Sequence, residues 1–385
     1  MDEERVARQI AETEGISFDS GFPTEEFMVN MGPQHPSTHG VCRLLLSMDG
    51  ENVKSVQPHI GYLHRAIEKI CENRTYAQIV PYTDRFEYVT SMACNWVYCK
   101  AVEQLSNIEI TERSEYIRVI MLELNRIASH LIFLGTFGLD LGAVTPFLYC
   151  LREREWIMDL YESVCGQRLL YNYIRIGGVS RDLPVGWEKK CIEFVDYFEP
   201  IIDDYEELLT YNPIFLTRTR NVGILPKDMA IDYACSGPVL RGSGVQWDLR
   251  VDDPFGVYDK FDFEIPTGTV GDTWDRYIVR IREMRQSSRI IRQAVEGLPE
   301  GTCVAKAKPT FKAPEGEYYQ RLESSRGEIG CYVISKGEKK PWRVKLRGAS
   351  YNHLMALPEI CKGIKIADLV AIFASFDAVM PEVDR

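Results

Sequence analysis

The stretch TERSEYIRVIMLELNRIASHLIFLG, residues 111–135, decides the fold class. Its apolar side chains recur every three or four residues, which is the period of an α-helix with one buried face. The other face carries Glu123, Arg126 and His130, whose spacing suits side-chain pairing along a helix. The pattern therefore predicts a long amphipathic helix. Its apolar stripe consists of Ile117, Ile120, Met121, Leu124, Ala128, Leu131 and Leu134.

Helical patterns also occur before and after this stretch. Residues 62–105 predict two helices that are broken near Pro81, because proline disrupts a helix interior. Asp272 is a candidate N-cap, and Gly297 a candidate stop, for a further long helix. Several long helices without strands between them favour a helical bundle. The remaining helical segments are residues 147–166, which end at Gly166, and residues 187–209.

The two ends of the chain have strand patterns. FMVNMG (27–32) and VCRLLLSMDGENVKSVQP (41–58) predict strands, and Asp49–Gly50 predicts a hairpin turn between two of them. GEIGCYVIS (327–335) and PWRVKLRGAS (341–350) predict a second strand pair. The predicted class is therefore α+β, mainly a long-helix bundle with an N-terminal antiparallel β region and a small C-terminal β region. The predicted regions are an acidic arm (1–26), the N-terminal β region (27–60), the helical bundle (61–298), and an extended or β region with a tail (299–385).

Composition excludes several classes of protein. The 385 residues carry a net charge of −11, which argues against broad nucleic-acid binding. The first 30 residues hold eight acids and two arginines, unlike a signal peptide, and no segment resembles a membrane-spanning helix. There is neither a Walker-type loop nor a G-x-G-x-x-G run after a strand, so nucleotide binding by this chain is not expected.

Cysteine spacing argues against a bound metal or iron–sulfur cluster. The eleven cysteines are irregularly spaced, and the closest two are Cys94 and Cys99. Zinc and iron–sulfur sites usually contain a C-x-x-C or similar tight pair. We therefore expect buried, reduced thiols.

A loop rich in proline and glycine holds two histidines. In GPQHPSTHG (32–40), His35 and His39 are four residues apart, but Pro36 disfavours a helical conformation at His35. A pair of metal ligands on one helix face is therefore disfavoured. Three more polar residues lie at unusual places: Arg85 and Tyr88 in PYTDRFEY (81–88), and Asp140 at the end of an apolar helix. Taken singly, each of these residues has an ordinary structural explanation, such as a helix-start arginine or a capping carboxylate.

Taken together, ten motifs in order resemble the D subunit (49-kDa type) of respiratory complex I, the NADH:quinone oxidoreductase, a family related to the large subunit of nickel–iron hydrogenases. The resemblance runs from about Phe27 to Arg385 and implies a hydrogenase-large-subunit-like fold. The motifs are GPQHPSTHG, PHIGYLHR, EKICENRTY, IRVIMLELNRIASHLIFLG, DLGAVTPF, REREWIMDLYE, YNYIRIGGV, YIVRIREMRQS, RGEIGCYVIS and the terminal VMPEVDR.

The resemblance also accounts for missing cysteines. Hydrogenase large subunits hold their metals with two C-x-x-C pairs, the second in a D-P-C-x-x-C ending. Here the ending reads SFDAVMPEVDR, in which Asp377 is present and no cysteine follows, and YTDRFEYV also lacks cysteine. This matches the complex I members, which have lost the metal site and use the vacated cavity for quinone.

The resemblance implies roles for individual residues. His39 and Tyr88 would bind and protonate the quinone headgroup, and Asp140 would orient and charge His39. Arg65 and Arg85 match positions that face a terminal iron–sulfur cluster, which the B subunit of the complex supplies. No metal ligand is expected in this chain.

One departure from the family concerns Leu170. Many members carry a histidine there, which takes up a proton when the cluster is reduced. Leucine cannot ionise, so we expect a cluster of lower potential with little pH dependence, suited to an acceptor such as menaquinone.

The resemblance implies an oxidoreductase component that is active only in an assembled, proton-pumping complex. The implied partners are quinone, the B, C and I subunits, and the membrane-embedded H subunit, with the C component as a separate polypeptide. The implied location is peripheral, on the cytoplasmic side of the inner membrane. The donor, NADH or ferredoxin, and the quinone species stay open. Two alternatives are a metal-containing hydrogenase subunit and a scaffold protein without chemistry.

Overall fold

The computed structural model describes residues 26–35, 40–305 and 311–385. The strands are β1 (Phe27–Met31), β2 (Gln34–His35), β3 (Gly40–Val41), β4 (Arg43–Asp49), β5 (Asn52–His59), β6 (Ile174–Arg175), β7 (Gly178–Val179), β8 (Gly316–Ser324), β9 (Gly327–Ser335) and β10 (Arg343–Arg347). The helices are α1 (Ile67–Cys71), α2 (Tyr76–Thr83), α3 (Ser91–Leu105), α4 (Glu112–Asp140), α5 (Val144–Cys165), α6 (Trp187–Tyr205), α7 (Pro213–Thr219), α8 (Lys227–Asp232), α9 (Gly237–Gly242), α10 (Leu249–Asp252), α11 (Thr273–Glu296), α12 (Ala349–Ile360), α13 (Ile366–Ser375) and α14 (Met380–Asp384). Short 3₁₀ turns occur at Tyr88–Thr90 and Tyr258–Lys260, and a π turn follows α6 at Glu206–Thr210.

The N-terminal strands form an antiparallel sheet in the order β1-β4-β5. Asp49 pairs with Asn52, which confirms the hairpin predicted at Asp49–Gly50. Gly50 lies between them at φ 60°, a conformation that glycine adopts without strain. β2 and β3 pair at the base of the histidine loop. Residues 36–39 of that loop, and with them His39, lie outside the described residues.

The predicted long helix is α4, at the centre of the bundle. It begins where the Thr111 side chain accepts a hydrogen bond from Ser114 N, and it is packed by α3, α5, α11 and α13. Its polar face is buried as deeply as its apolar stripe, with Glu123 and His130 both 0% exposed. The middle of the helix, residues 116–131, is therefore covered on all sides, which a one-sided amphipathic pattern did not predict.

The C-terminal sheet has the order β10-β9-β8 and confirms the predicted β9–β10 strand pair. The tip of the β8–β9 hairpin, Ser325–Arg326, is buried inside the bundle rather than exposed. Arg126 of α4 fixes this tip, since its guanidinium donates to Ser324 O (2.8 Å) and Glu323 O (2.9 Å). The sheet thereby carries an arginine into the interior.

Two local predictions were wrong. Residues 62–105 contain the three helices α1, α2 and α3 rather than two, because a further break separates α1 from α2; the break predicted near Pro81 occurs just after Thr83. Residues 349–384, expected to be extended or tail-like, contain three helices. Segments such as IADLVAIFAS (366–375) are apolar nearly all round, so their sequence lacks the polar stripe that marks a surface helix. The helix at Thr273–Glu296 was predicted correctly, with Asp272 as its N-cap and Gly297 at its end.

The two ends of the chain meet in one hydrophobic core. Buried residues of β4, α12 and α13, including Leu44, Leu354 and Phe373, form a single cluster that is separate from the core of the bundle. The Asp384 carboxylate accepts hydrogen bonds from the backbone of Gly61 and Leu63, both at 2.7 Å. The fold is a mixture of helices and small antiparallel sheets, as the α+β prediction required.

The sequence predicted no membrane-spanning helix, and it predicted that the cysteines are buried, reduced thiols. Across the described ranges, the structure contains no helix that is long and apolar enough to cross a membrane. All eleven cysteines are free, and ten of them are buried, with Cys165 partly exposed. The prediction of buried, unpaired thiols is confirmed.

Candidate functional site

Tyr88 opens a short 3₁₀ turn that is held against the middle of α4. Asn125 of α4 donates to Val89 O (2.9 Å) and accepts from Met92 N (3.2 Å). The turn is thereby fixed on both sides, whereas the Tyr88 side chain remains 39% exposed. An exposed phenol on a fixed turn is available to donate a hydrogen bond to a bound molecule.

A buried cluster of charged residues lies behind this turn. Arg326, from the hairpin tip, donates to the carboxylates of Glu87 and of Asp377, the latter at 3.0 Å. It also donates to Asp377 O at 2.7 Å and to Ser129 Oγ at 3.2 Å. The phenol of Tyr88 lies close enough to interact electrostatically with this guanidinium. One cation is therefore shared by two acids and interacts electrostatically with the exposed tyrosine.

Glu87 is the acid of this cluster that adjoins Tyr88 in sequence. Its carboxylate also accepts from the hydroxyls of Thr90 and Ser324 (3.2 Å for Ser324). Burial raises the pKa of Glu87 to about 8, because the attraction of Arg326 only partly offsets the loss of solvent. Glu87 thus titrates near neutral pH.

The histidine loop approaches the same region from the N-terminal side. Its described end, Gly40, lies against Met380, because a Cβ added at Gly40 would be 3.5 Å from the Met380 side chain. Met380 begins α14, three residues after Asp377. The base of the loop therefore lies beside the segment that carries one acid of the buried cluster.

Asp140 is the last residue of α4 and is half-buried. It lies about 22 Å along the helix axis from Asn125, which anchors the Tyr88 turn, at about 1.5 Å per residue. The structure thus places Tyr88 at the middle of α4 and Asp140 at its end. Any direct contact of Asp140 with His39 involves a residue outside the described ranges.

Arg65, Arg85 and Leu170 lie close together. The Arg65 guanidinium donates to Arg85 O, and the Arg85 guanidinium donates to Pro81 O, both at 2.5 Å. Arg85 and Leu170 line one cavity of about 440 Å³. The two arginines and the leucine, predicted as one surface, are thus neighbours.

The same cavity contains a carboxyl that the sequence analysis did not single out. Asp84 is 0% exposed, and its Oδ1 accepts a long hydrogen bond from Asn172 N at 3.4 Å. Burial raises the pKa of Asp84 to about 7, because the hydrogen bonds of Asn172 and Asn95 and the charge of Arg85 offset the loss of solvent only in part.

A larger ionic network fills the centre of the bundle. Arg241 contacts Glu283 (2.8 Å), Glu323 (2.8 Å) and Asp248 (3.2 Å), and all four side chains are 0% exposed. His130 Nε2 lies 2.9 Å from the remaining oxygen of Glu283. Burial lowers the pKa of His130, so this histidine is neutral at pH 7. The network cross-links α4, α9, α11 and β8.

No metal-binding group is present in the part of the chain that the structure describes. Sets of three or more His, Cys, Asp or Glu side chains with a suitable arrangement are absent from it. Asp377 is paired with Arg326. The positive charge beside this acid is therefore supplied by a side chain of the protein.

Sequence reasoning missed Glu87 and Arg326. Glu87 lies in PYTDRFEY next to a predicted ligand, but an acid in a loop usually remains in water. Arg326 lies in a two-residue turn between strands, a position that is normally exposed. An arginine flanked by SS and GEIG had no pattern that indicated burial.

Three similarities to known proteins bear on these observations. Residues 140–385 match the family model described as the 49 kDa subunit of the respiratory-chain NADH dehydrogenase. The D subunit of the NADH-quinone oxidoreductase of Bacillus cereus (strain ATCC 10987 / NRS 248) is 52% identical over 362 residues, which cover 94% of this chain and 99% of the relative. The H subunit of the NAD(P)H-quinone oxidoreductase of Picosynechococcus sp. is 49% identical over 387 residues, which cover 94% and 98%.

Proposed function

The chain belongs to the family of 49 kDa subunits of the respiratory-chain NADH dehydrogenase, and from this premise we propose that it forms the quinone-binding part of the complex. It is a component of an oxidoreductase and works with the other components of that complex. Reduction of a quinone to a quinol takes two electrons and two protons. The chain's part in this reaction is to bind the headgroup and to supply protons.

The observation that carries the proposal is the position of Tyr88. Tyr88 is 39% exposed, its turn is fixed by the hydrogen bonds of Asn125 to Val89 and Met92, and its phenol interacts electrostatically with the buried cation of Arg326. In this role the Tyr88 hydroxyl donates a hydrogen bond to one quinone carbonyl. The nearby positive charge favours the negative charge that this oxygen gains on reduction.

His39 and Asp140 complete the proposed site. His39 donates to the second carbonyl, and the carboxylate of Asp140 holds the proton on the imidazole more tightly. The contact between Gly40 and Met380 supports this arrangement, since it directs the end of the histidine loop to the side of the buried cluster. His35, paired in the β2–β3 hairpin, has a structural role.

The electrons come from an iron–sulfur cluster in the partner B subunit. The cysteines of this chain support an external source, because they are scattered and ten of the eleven are buried. Arg65 and Arg85 form the face toward that cluster and stabilise its reduced, more negative state. The shared cavity of Arg85 and Leu170 supports a single such face.

The remaining parts of the proposal concern assembly. The C and I subunits and the membrane-embedded H subunit are the other proposed neighbours, and contact with the membrane-embedded one holds the chain at the cytoplasmic side of the membrane. The architecture is proposed to be that of the hydrogenase large subunit, with Arg326 between the two acids Glu87 and Asp377.

The test is the change Tyr88→Phe in the assembled complex. It removes one hydroxyl and little volume, and a lost hydrogen bond of about 0.5–1.5 kcal/mol corresponds to a roughly 2- to 13-fold rise in the KM for a short-chain quinone. Tyr211→Phe is the matched control, because Tyr211 is 68% exposed and lies in the connection between α6 and α7. An unchanged KM in Tyr88→Phe would contradict the proposal and favour a scaffold role.

A further inference from the structure

The cluster behind Tyr88 contains more acids than cations. Glu87 and Asp377 share Arg326, and a third acid, Glu382, interacts electrostatically with both Glu87 and Arg326. One further cation, Arg280 of α11, acts on Asp377. Three carboxylates against two guanidinium groups leave one negative charge in a region without solvent. Such a charge is costly, so the cluster favours holding one proton.

The groups around Glu87 lie on six elements of the structure. Their charges give the same balance of three carboxylates against two guanidinium groups. The pKa of the buried His353 imidazole is lowered to about 3 by burial, and the pKa of the Cys94 thiol is raised by burial, so both are neutral at pH 7. Neither of them compensates the extra negative charge. Cys94 on α3, Arg326 at the hairpin tip, and Asp377 and Glu382 near the C-terminus interact with Glu87. Tyr88 on the same turn, His353 on α12 and Arg280 on α11 interact with Arg326 or Asp377.

Glu87 is stabilised in both of its protonation states. Complete burial favours the neutral acid, whereas Arg326 and the hydroxyls of Thr90 and Ser324 favour the carboxylate. The Thr90 and Ser324 hydroxyls are 3.0 Å apart. Both hydroxyls donate to the Glu87 carboxylate, and Thr90 belongs to the same turn as Tyr88; a hydroxyl can both donate and accept, as a proton relay requires.

We propose that Glu87 is the proton store of this site, which holds one proton at rest and releases it to the Tyr88 side when quinone is reduced. This inference rests on the proposed function. Two electrons would reach the quinone, one at a time, from the partner's iron–sulfur cluster. The O–H bond of the Tyr88 phenol breaks as an O–H bond to one quinone oxygen forms, and the O–H bond of the Glu87 carboxyl breaks as its proton replaces the one that the Tyr88 oxygen has lost. The second proton of the quinol is the one that the proposed function assigns to His39, and Glu87 remains as a carboxylate beside Arg326. A proton from solvent restores the acid before the next turnover.

Glu87 does not touch the substrate and acts through Tyr88, so its test needs measurements that a structural role would leave unchanged. The first is the pH profile of quinone reduction by the purified complex. Since Glu87 has a pKa of about 8, the wild-type rate is expected to fall as pH rises through that value. Glu87→Gln cannot release a proton, so it should be roughly 10-fold slower at neutral pH and lack this descending limb. Glu87→Asp should retain a descending limb.

The second measurement is an infrared difference spectrum between the oxidised and the reduced wild-type complex. Loss of the carbonyl band of a protonated carboxyl on reduction is expected, and this signal should be missing in Glu87→Gln. The matched control is Glu103→Gln, because Glu103 is also buried and paired with a buried arginine, Arg118 at 2.6 Å, but lies outside the site. It should leave both the pH profile and the infrared signal unchanged.

The outcomes separate the two proposals. If Tyr88→Phe raises the quinone KM while Glu87→Gln keeps the wild-type rate and descending limb, only the proton store is overturned. If Tyr88→Phe leaves the KM unchanged, the quinone site itself is overturned. Should Glu87→Gln fail to assemble, the wild-type infrared spectrum decides, since the absence of a carboxyl change on reduction contradicts the proposal.

Discussion

Replacing Arg241 with methionine is expected to lower the free energy of unfolding by about 3–5 kcal/mol. The guanidinium contacts Glu283, Glu323 and Asp248, and all of these side chains are fully buried. Methionine keeps the apolar stem and removes the charge. Three carboxyl groups would then lose a cation in a region that solvent does not reach, and this cost is larger than that of a missing hydrogen bond.

Arg168→Met is the matched control. Arg168 also contacts three acids, Glu155, Asp159 and Glu162, but its side chain is 39% exposed. Exposed ion pairs contribute little to stability because water screens them. Each variant removes an arginine that contacts three acids. Only the burial of the arginine therefore distinguishes their expected effects.

The cost of Arg241→Met should depend on pH. Burial tends to raise the pKa of Asp248, but Arg250 and Arg241 outweigh it and hold the pKa at about 2. The pKa of Glu283 is also lowered, because Arg241 and His130 outweigh burial. A lowered pKa contributes stability that is present above the unfolded value of about 4 and is lost as pH falls through the folded value. Without Arg241 these acids accept protons more readily, so the difference from wild type should be largest near neutral pH and shrink in acid.

The measurement is denaturant unfolding of this protein within the purified complex, followed by pulse proteolysis at about pH 7 and about pH 5. Equal midpoints for Arg241→Met and Arg168→Met would refute the reasoning. If the loss of unfolding free energy in Arg241→Met were the same at both pH values, the effect of burial would stand. The lowered pKa values assigned to Asp248 and Glu283 would then be refuted.

Two further predictions concern the proposed site. Asp140→Asn should slow quinone reduction by at least about 10-fold or uncouple it from proton pumping, and unchanged turnover and pumping would contradict the role of Asp140. The potential of the partner's cluster should depend little on pH in the native complex, and Leu170→His should introduce a dependence of up to roughly 59 mV per pH unit, measured by redox titration. If the cluster potential of the native complex changed by tens of millivolts per pH unit, this expectation for Leu170 would be contradicted. If that change then disappeared in Asp84→Asn, Asp84 would be the group that titrates.

Much of the local structure was predictable from short stretches of sequence. Asp49–Gly50 specified a hairpin because glycine accepts the left-handed turn conformation, and Asp272 specified a helix start because its carboxylate accepts a backbone N–H. Tyr88 and Asp140 were identified as candidates through family motifs. The buried residues around Tyr88 were not identified, since Glu87 and Arg326 lie in segments whose patterns predict exposure.

The sequence by itself determined which residues share a helix face, because the 3.6-residue period fixes that relation within one segment. It did not determine what covers each face. Glu123 and His130 of α4 are buried because Arg250 and Glu283, more than a hundred residues away in the chain, supply opposite charge or a hydrogen bond. A charge can be buried only when such a partner is present. The position of the partner follows from the packing of elements that are remote in the chain. The tertiary structure alone therefore decided that the middle of α4 is buried all round and that Arg326 is buried between Glu87 and Asp377.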